Sequence, residues 1–353
     1  MQILSIQYLR AIAALMIVVF HAGNQLTRLG LPAGWGDGLQ AGVDIFFVIS
    51  GVIMYVTTAG TGIRPAEFWL RRIIRIVPLY WIMTTAMVAA ALLLPGLVRT
   101  ARFDPAHVLA SYLFIAWPHP VLGEALPILV PGWTLNHEMF FYAVFGLALT
   151  LPERVRFWAV GAVLGTLVVA AHALPAAGTL LRFHGSGIVL EFWAGMALGR
   201  LHLARRLPGP ALSGALLVLG LLALPFSALS AGDVPRVLHA GLPAVAVVAG
   251  ALGLERARRV PRNAFGSLLG EASYALYLSH VMVLPAVAVV WGRIAPGDGF
   301  VALVGFVLAG VATSVAVSIA VYRLIEKPLR HAMHLKMPGA SRTPSLAAVA
   351  SRP

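Results

Sequence analysis

Apolar runs of roughly twenty residues recur along the whole chain, separated by short polar breaks. A helix needs about 20 mostly apolar residues to cross the hydrocarbon of a bilayer, so each run is predicted as a membrane span. Ten are expected: Ile6–Ala22, Ala41–Thr58, Ile76–Leu94, Trp133–Leu151, Val155–Leu174, Ser186–Leu203, Ala211–Leu229, Val237–Leu254, Leu268–Trp291 and Phe300–Tyr322. Transmembrane strands would alternate polarity over about ten residues, and that pattern is absent. The fold class predicted is therefore all-α, a polytopic transmembrane helix bundle. One transmembrane domain is expected over residues 1–334. The stretch 335–353 is small, polar and Pro-containing, and is expected to be a disordered cytoplasmic tail. The apolar segment Val108–Ala116 is too short to span and is followed by Pro118 and Pro120. It is expected as an interfacial or re-entrant helix on the outer face.

Composition agrees with this reading. The chain is 59% hydrophobic and 11% charged, whereas soluble domains carry about 25% charged residues. The formal charge of +13 does not point to nucleic acid, because the basic residues are sorted by loop. With the N-terminus inside, inner loops and the C-terminal stretch hold 19 Lys and Arg against 6 in outer loops. That asymmetry predicts both termini in the cytoplasm. No basic region precedes the first apolar run, so it is expected to be a retained span rather than a signal peptide. Cysteine is absent, which excludes disulfides, thiolate metal sites and a thiol nucleophile. No metal-ligand spacing is present.

Charge within hydrocarbon is costly and usually functional. The spans hold Asp44, Glu138 and Glu191, with Glu271 near an end, together with Arg10, His21 and His280. Counted from the ends of the spans, His21, Asp44, Glu138 and Glu191 fall in one outer layer, with His280 near mid-membrane. Arg10 and His21 are eleven residues apart, close to three turns, so they share a helix face about 16 Å apart. Ser273 and His280, seven apart, share a face by the same arithmetic. Simpler roles compete. Asp44 suits the first turn of a helix, Glu191 reads as structural, and a buried His is often an ordinary hydrogen-bonded core residue. The cluster Arg71, Arg72 and Arg75, closing a loop before the third span, fits either cytoplasmic anchoring or a clamp for phosphate.

Seven segments in order resemble the acyltransferase 3 family of membrane acyltransferases. They are IQYLRAIAALMIVVFHA, with Arg10, ten residues and His21; GVDIFFVISGVIM; RRIIRIVPLYW, with Arg72 and Arg75 in an Arg-x-x-Arg motif; WTLNHEMFFY; EFWAGMALG; SYALYLSH; and LIEKPLR. The first and fourth are most similar to the exopolysaccharide-production branch, and His137 departs from the Tyr or Val common at its position. The resemblance implies transfer of an acyl group, most often acetyl, from acyl-CoA to a carbohydrate hydroxyl, with no permanently bound cofactor. The acceptor implied is a bacterial exopolysaccharide, or its lipid-linked precursor, at the inner membrane. A hydroxyl needs a base, and His21 is expected to supply it, with Asp44 or Glu138 orienting the imidazole. Arg71, Arg72 and Arg75 would hold the CoA phosphates, and the pantetheine arm would pass Arg10. Trp133, Asn136, Ser273 and His280 are further candidates for substrate contact. A proton-coupled transporter is the rival class, but internal repeats and paired broken helices are not seen. An acyl relay handing the group outward is the rival chemistry.

Overall fold

The computed structural model describes residues 3–29, 36–98, 100–174, 176, 178–228, 235–294 and 299–335. Its helices are α1 (Leu4–Gln25), α2 (Gly42–Thr58), α3 (Pro65–Leu93), α4 (Pro105–Tyr112), α5 (Trp133–Ala148), α6 (Glu153–Ala173) and α7 (Thr179–His184). There follow α8 (Leu190–Leu203), α9 (Pro210–Ala223), α10 (Leu242–Arg256), α11 (Ala264–Glu271), α12 (Ser273–Ile294), α13 (Phe300–Val321) and α14 (Lys327–Leu335). Among the described residues there is no strand, and the protein is an all-α multi-pass membrane protein. Among the described residues, eight helices are long and apolar enough to cross a membrane. The other two expected spans, α5 and α8, have 16 and 14 residues, each preceded by a three-residue 3₁₀ turn. The expected disordered tail lies outside the described residues from position 336 on; Leu335 closes α14.

Three elements differ from expectation. The third helix starts at Pro65, not Ile76, so Arg71, Arg72 and Arg75 sit on helix rather than in a loop. The cause is local: Pro at the first helical position is pre-set for the helix, and the arginines interrupt hydropathy without interrupting helix. The ninth span is broken at Ala272 into α11 and α12. The tenth continues past Tyr322 through a π-helical turn into the amphipathic α14. The segment around Val108 forms α4, eight residues long, capped by Asp104 accepting from the His107 N–H at 2.8 Å.

Without water nearby, open N–H groups at a helix start are expensive. α1 has no cap of its own. Glu255 at the end of α10 supplies one, accepting from the N–H groups of Leu4 and Ser5 at 2.8 Å each and from the Ser5 hydroxyl. That carboxylate fixes the start of the helix that carries Arg10 and His21.

α2 is the most enclosed span and packs against α1, α5, α8 and α10. Its contact with α8 is backbone on backbone. A Cβ on Gly51 would collide with the carbonyl of Phe192, and one on Gly195 with the carbonyl of Val48. Small residues are what let membrane helices approach this closely. The start of α2 is pinned separately: Arg236, just before α10, makes a two-pronged salt bridge to Asp44, Nε to Oδ1 at 3.1 Å and Nη2 to Oδ2 at 2.7 Å. Asp44 is fully buried, whereas the Arg236 side chain is 31% exposed.

Two outcomes follow for stability. Gly51→Val should cost at least about 1–3 kcal/mol, the usual penalty of overpacking, because a carbonyl on a helix cannot move aside. Thermal unfolding in detergent measures it, and an unchanged midpoint would mean the crossing has slack. Arg236→Met should destabilise by up to about 3–5 kcal/mol, since it strands an enclosed carboxylate. Asp44→Asn should cost less, because the orphaned guanidinium still reaches solvent. Adding Asp44→Asn to Arg236→Met should recover most of the loss.

Candidate active site

A cavity of about 740 Å³, its open mouth included, lies between α1, α2, α3, α5 and α12. Each helix contributes polar groups to an otherwise apolar wall: Arg10 from α1, Ser50 from α2, Arg72 and Arg75 from α3, Thr134, Glu138 and Tyr142 from α5, and Ser273, Tyr274 and Tyr277 from α12. Spacing explains the convergence. Thr134, Glu138 and Tyr142 are one turn apart on α5, and Arg72 and Arg75 are three apart on α3.

Three guanidinium groups therefore line this cavity with one carboxylate. Glu138 is engaged already, accepting from the Ser50 hydroxyl at 3.1 Å and from the Tyr142 hydroxyl. Arg72 lies over the rings of Phe68 and Tyr142, 5.6 and 5.8 Å from their centroids. Its buried Nε has no hydrogen-bond partner. Arg10 reaches only the Gln7 side chain, at 3.4 Å. Glu326, in the π-helical turn before α14, lies within electrostatic reach of Arg10 and Arg75. The cavity is thus cationic and holds hydrogen-bond donors that protein acceptors do not use up.

Arg71 does not belong to it. It faces the other side of α3, half-exposed and paired with Glu67. Of the three expected phosphate ligands, the structure brings Arg72 and Arg75 together with Arg10 and leaves Arg71 outside.

His21 and His280 meet: their ring centroids are 5.0 Å apart. His280 Nδ1 is 3.1 Å from the Leu276 carbonyl, so that nitrogen carries the proton as donor. Its buried Nε2 has no other partner. The Asn24 amide lies 3.5 Å from His21 Nδ1. Tyr277 links the two regions, since it lines the cavity and its ring is 6.1 Å from that of His280. The Tyr277 hydroxyl is itself fixed by the Pro131 carbonyl at 3.0 Å and Thr134 at 2.9 Å.

The single outer layer expected for His21, Asp44 and Glu138 is not formed. Gly42 packs onto the Ala13 carbonyl and Met16 of α1. Gly42, which starts α2, therefore lies roughly 10 Å short of His21 along α1, and Asp44 about 3 Å further on. Glu138 bonds to Ser50, a further 9 Å or so down α2. Equal offsets from the ends of apolar runs are not equal depths, because α1 continues to Gln25 while α2 begins after a 3₁₀ turn. His280, expected near mid-membrane, is level with His21. Asp44 is committed to Arg236, with Glu191 beside them on α8. Ser273 lines the cavity, whereas Trp133 and Asn136 lie on another face of α5, Trp133 edge-on to Phe47 at 6.4 Å. The hydroxyls of Tyr142, Tyr274 and Tyr277 were missed because an uncharged aromatic reads as packing; the one available signal was the place of all three within motifs.

Comparison with known proteins identifies the family. The profile of the acyltransferase 3 family, described as an acyltransferase domain, matches residues 3–323. The exopolysaccharide production protein ExoZ of Rhizobium meliloti (strain 1021) is 39% identical over 302 residues, covering 82% of this chain and 89% of that protein. The peptidoglycan O-acetyltransferase OatA of Listeria monocytogenes is 25% identical over 150 residues, 40% of this chain and 20% of the relative. Nodulation protein 10 of Rhizobium leguminosarum bv. viciae is 31% identical over 186 residues, 47% and 48% of the two chains. No solved structure matches. A family match over nearly the whole chain, on an all-α bundle of membrane-crossing helices, means that the chain belongs to the acyltransferase 3 family and is a multi-pass membrane acyltransferase.

Proposed function

We propose that the protein moves an acetyl group from acetyl-CoA to a hydroxyl of a bacterial exopolysaccharide, free or as its lipid-linked precursor, at the inner membrane. The observation that carries this reading is the cavity in which Arg10, Arg72 and Arg75 converge beneath the His21–His280 pair. Guanidinium forks suit phosphate oxygens, and CoA carries its phosphates at the end remote from the thioester. Acetyl-CoA is cytoplasmic, so the arginine end faces the cytoplasm in this reading, in keeping with the loop charges. The pantetheine arm then runs along α1, whose rise from Arg10 to His21 is about 16 Å. ExoZ, similar over most of its length, is named for exopolysaccharide production, which supports the acceptor class.

In the transfer step the acceptor oxygen attacks the thioester carbonyl carbon as His21 takes the hydroxyl proton. The carbon–sulfur bond breaks, and the proton passes from His21 to the departing thiolate, giving CoA and the ester. His280, rather than a carboxylate, is the neighbour that fixes the His21 tautomer: with its Nδ1–H held by Leu276, its Nε2 is available to accept from His21. Glu138, bound to Ser50 and Tyr142, keeps the arginines apart and correctly aimed.

Arg72→Ala and Arg75→Ala should each raise the donor Michaelis constant at least about tenfold, the worth of a charge-assisted contact. Arg→Lys should recover only part, since a point charge lacks the fork. Arg71→Ala should leave the donor constant unchanged; a rise equal to that of Arg72→Ala would mean that the phosphates lie on the outer face of α3. His21→Ala should still be protected from heat by acetyl-CoA yet lose transfer by about 10²–10⁴-fold, the contribution of a positioned base. His280→Gln, measured by kcat across pH, should lower the rate less and displace the pH profile. Near-normal transfer by His21→Ala would remove it as the base.

A further inference from the structure

α5 presents polar chemistry on two faces, and only one lines the cavity. Trp133, Asn136, His137 and Phe140, spaced i, i+3, i+4, i+7, form the second stripe. The short helix α7 lies against it by ring contact. Phe183 stacks on His137, with centroids 4.0 Å apart and planes 9° off parallel, and His184 stacks on Phe140 at 4.4 Å. α7 buries none of its own residues, so these stacks are its principal hold on α5.

Within the stripe several polar atoms have no partner among the described residues. Asn136 is 1% exposed, and neither its amide nitrogen nor its oxygen has a hydrogen-bond partner. The Nδ1 atoms of His137 and His184 are likewise buried without partners. An enclosed amide with both ends unsatisfied is costly, and a leucine would fill the space without that cost. The stripe carries no cation, and burial lowers the His184 imidazole below its ordinary value, so it offers neutral donors and acceptors. Phe47 stands between the two faces: it lines the cavity and packs edge-on to both Trp133 and His137, at 6.4 and 6.0 Å.

We propose that this stripe is an acceptor subsite, in which Asn136, His137 and His184 bind hydroxyls of a neutral pyranose when Phe183 leaves His137. A sugar hydroxyl both donates and accepts, which matches an amide with both functions free. The exposed aromatic faces suit the C–H face of the ring. Held there, the sugar directs another hydroxyl past Phe47 toward the thioester. This inference rests on the transfer reaction proposed above.

The test uses the full chain in proteoliposomes, with acetyl-CoA as donor. The acceptor probe is unacetylated exopolysaccharide prepared from a strain lacking the protein. Asn136→Leu should raise the acceptor Michaelis constant at least about tenfold, leave the donor constant within about twofold and leave the melting temperature unchanged or higher. His184→Phe, which keeps the stack on Phe140, should raise the acceptor constant without changing donor protection against heat. A wild-type acceptor constant in both variants overturns the subsite alone, as does a fall in melting temperature with Asn136→Leu accompanied by a wild-type acceptor constant in His184→Phe. Wild-type protein that binds and hydrolyses acetyl-CoA but never acetylates this polymer overturns the transfer reading, and the subsite with it.

Discussion

Three guanidinium groups share an apolar cavity with one carboxylate, and the rest of the bundle is arranged to tolerate them. Among the described residues Arg10 bonds only to the Gln7 side chain and Arg72 leaves its Nε without a partner, and mutual repulsion in a medium of low polarity is strong. They stay because their helices are fixed elsewhere. Glu255 holds the start of α1, the glycine crossing clamps α2 to α8, and the Asp44–Arg236 bridge ties α2 to α10. Aromatic faces under Arg72, the Glu138–Tyr142–Ser50 chain and Glu326 near Arg10 and Arg75 supply the compensation present. A cavity built this way suits an anion, and the acyl-CoA proposed as donor would supply one.

Much of the bundle was legible because hydropathy over twenty residues is a strong signal: eight of the ten expected runs hold helices long enough to cross, and the other two hold the shorter α5 and α8. What failed to read out was whatever depends on contacts between distant residues. The α3 start was hidden because Arg71, Arg72 and Arg75 look like a loop to a hydropathy count, although arginine is a good helix former. Asp44 was assigned to the base because its partner, Arg236, stands 192 residues away among the outer-loop cations. His21 and His280 were assigned to different depths because α1 continues past Ala22 to Gln25, so His21 does not stand at the end of its helix. The arginines and Glu138 could be named in advance, since ionisable groups in apolar runs are rare. The tyrosine hydroxyls that finish the cavity carry no such mark.

The structure separates tasks that the sequence merges. The segment Trp133–Tyr142 reads as one motif, yet its residues point to two regions that share only Phe47 as a wall. Likewise Asp44 and Phe47 lie three residues apart on α2; one serves a structural bridge and the other lines the cavity. A helix in a crowded bundle has no idle face, so adjacent residues in a motif need not share a function.

Arg10 and His21 stand on one unbroken helix without proline. The separation between them is consequently a ruler whose length is set by counting residues, not by how neighbouring helices settle. Bilayer thickness, tilt and breathing of the bundle all act on the gaps between helices and leave this distance alone. Adding or removing one residue between the two would turn the imidazole by about 100° as well as moving it by about 1.5 Å. A donor longer or shorter between its phosphates and its reactive carbon would be out of register with the imidazole in the same way. In the reaction proposed above, the donor would be measured along a single α-helix, which is a stiff gauge for a polypeptide to make.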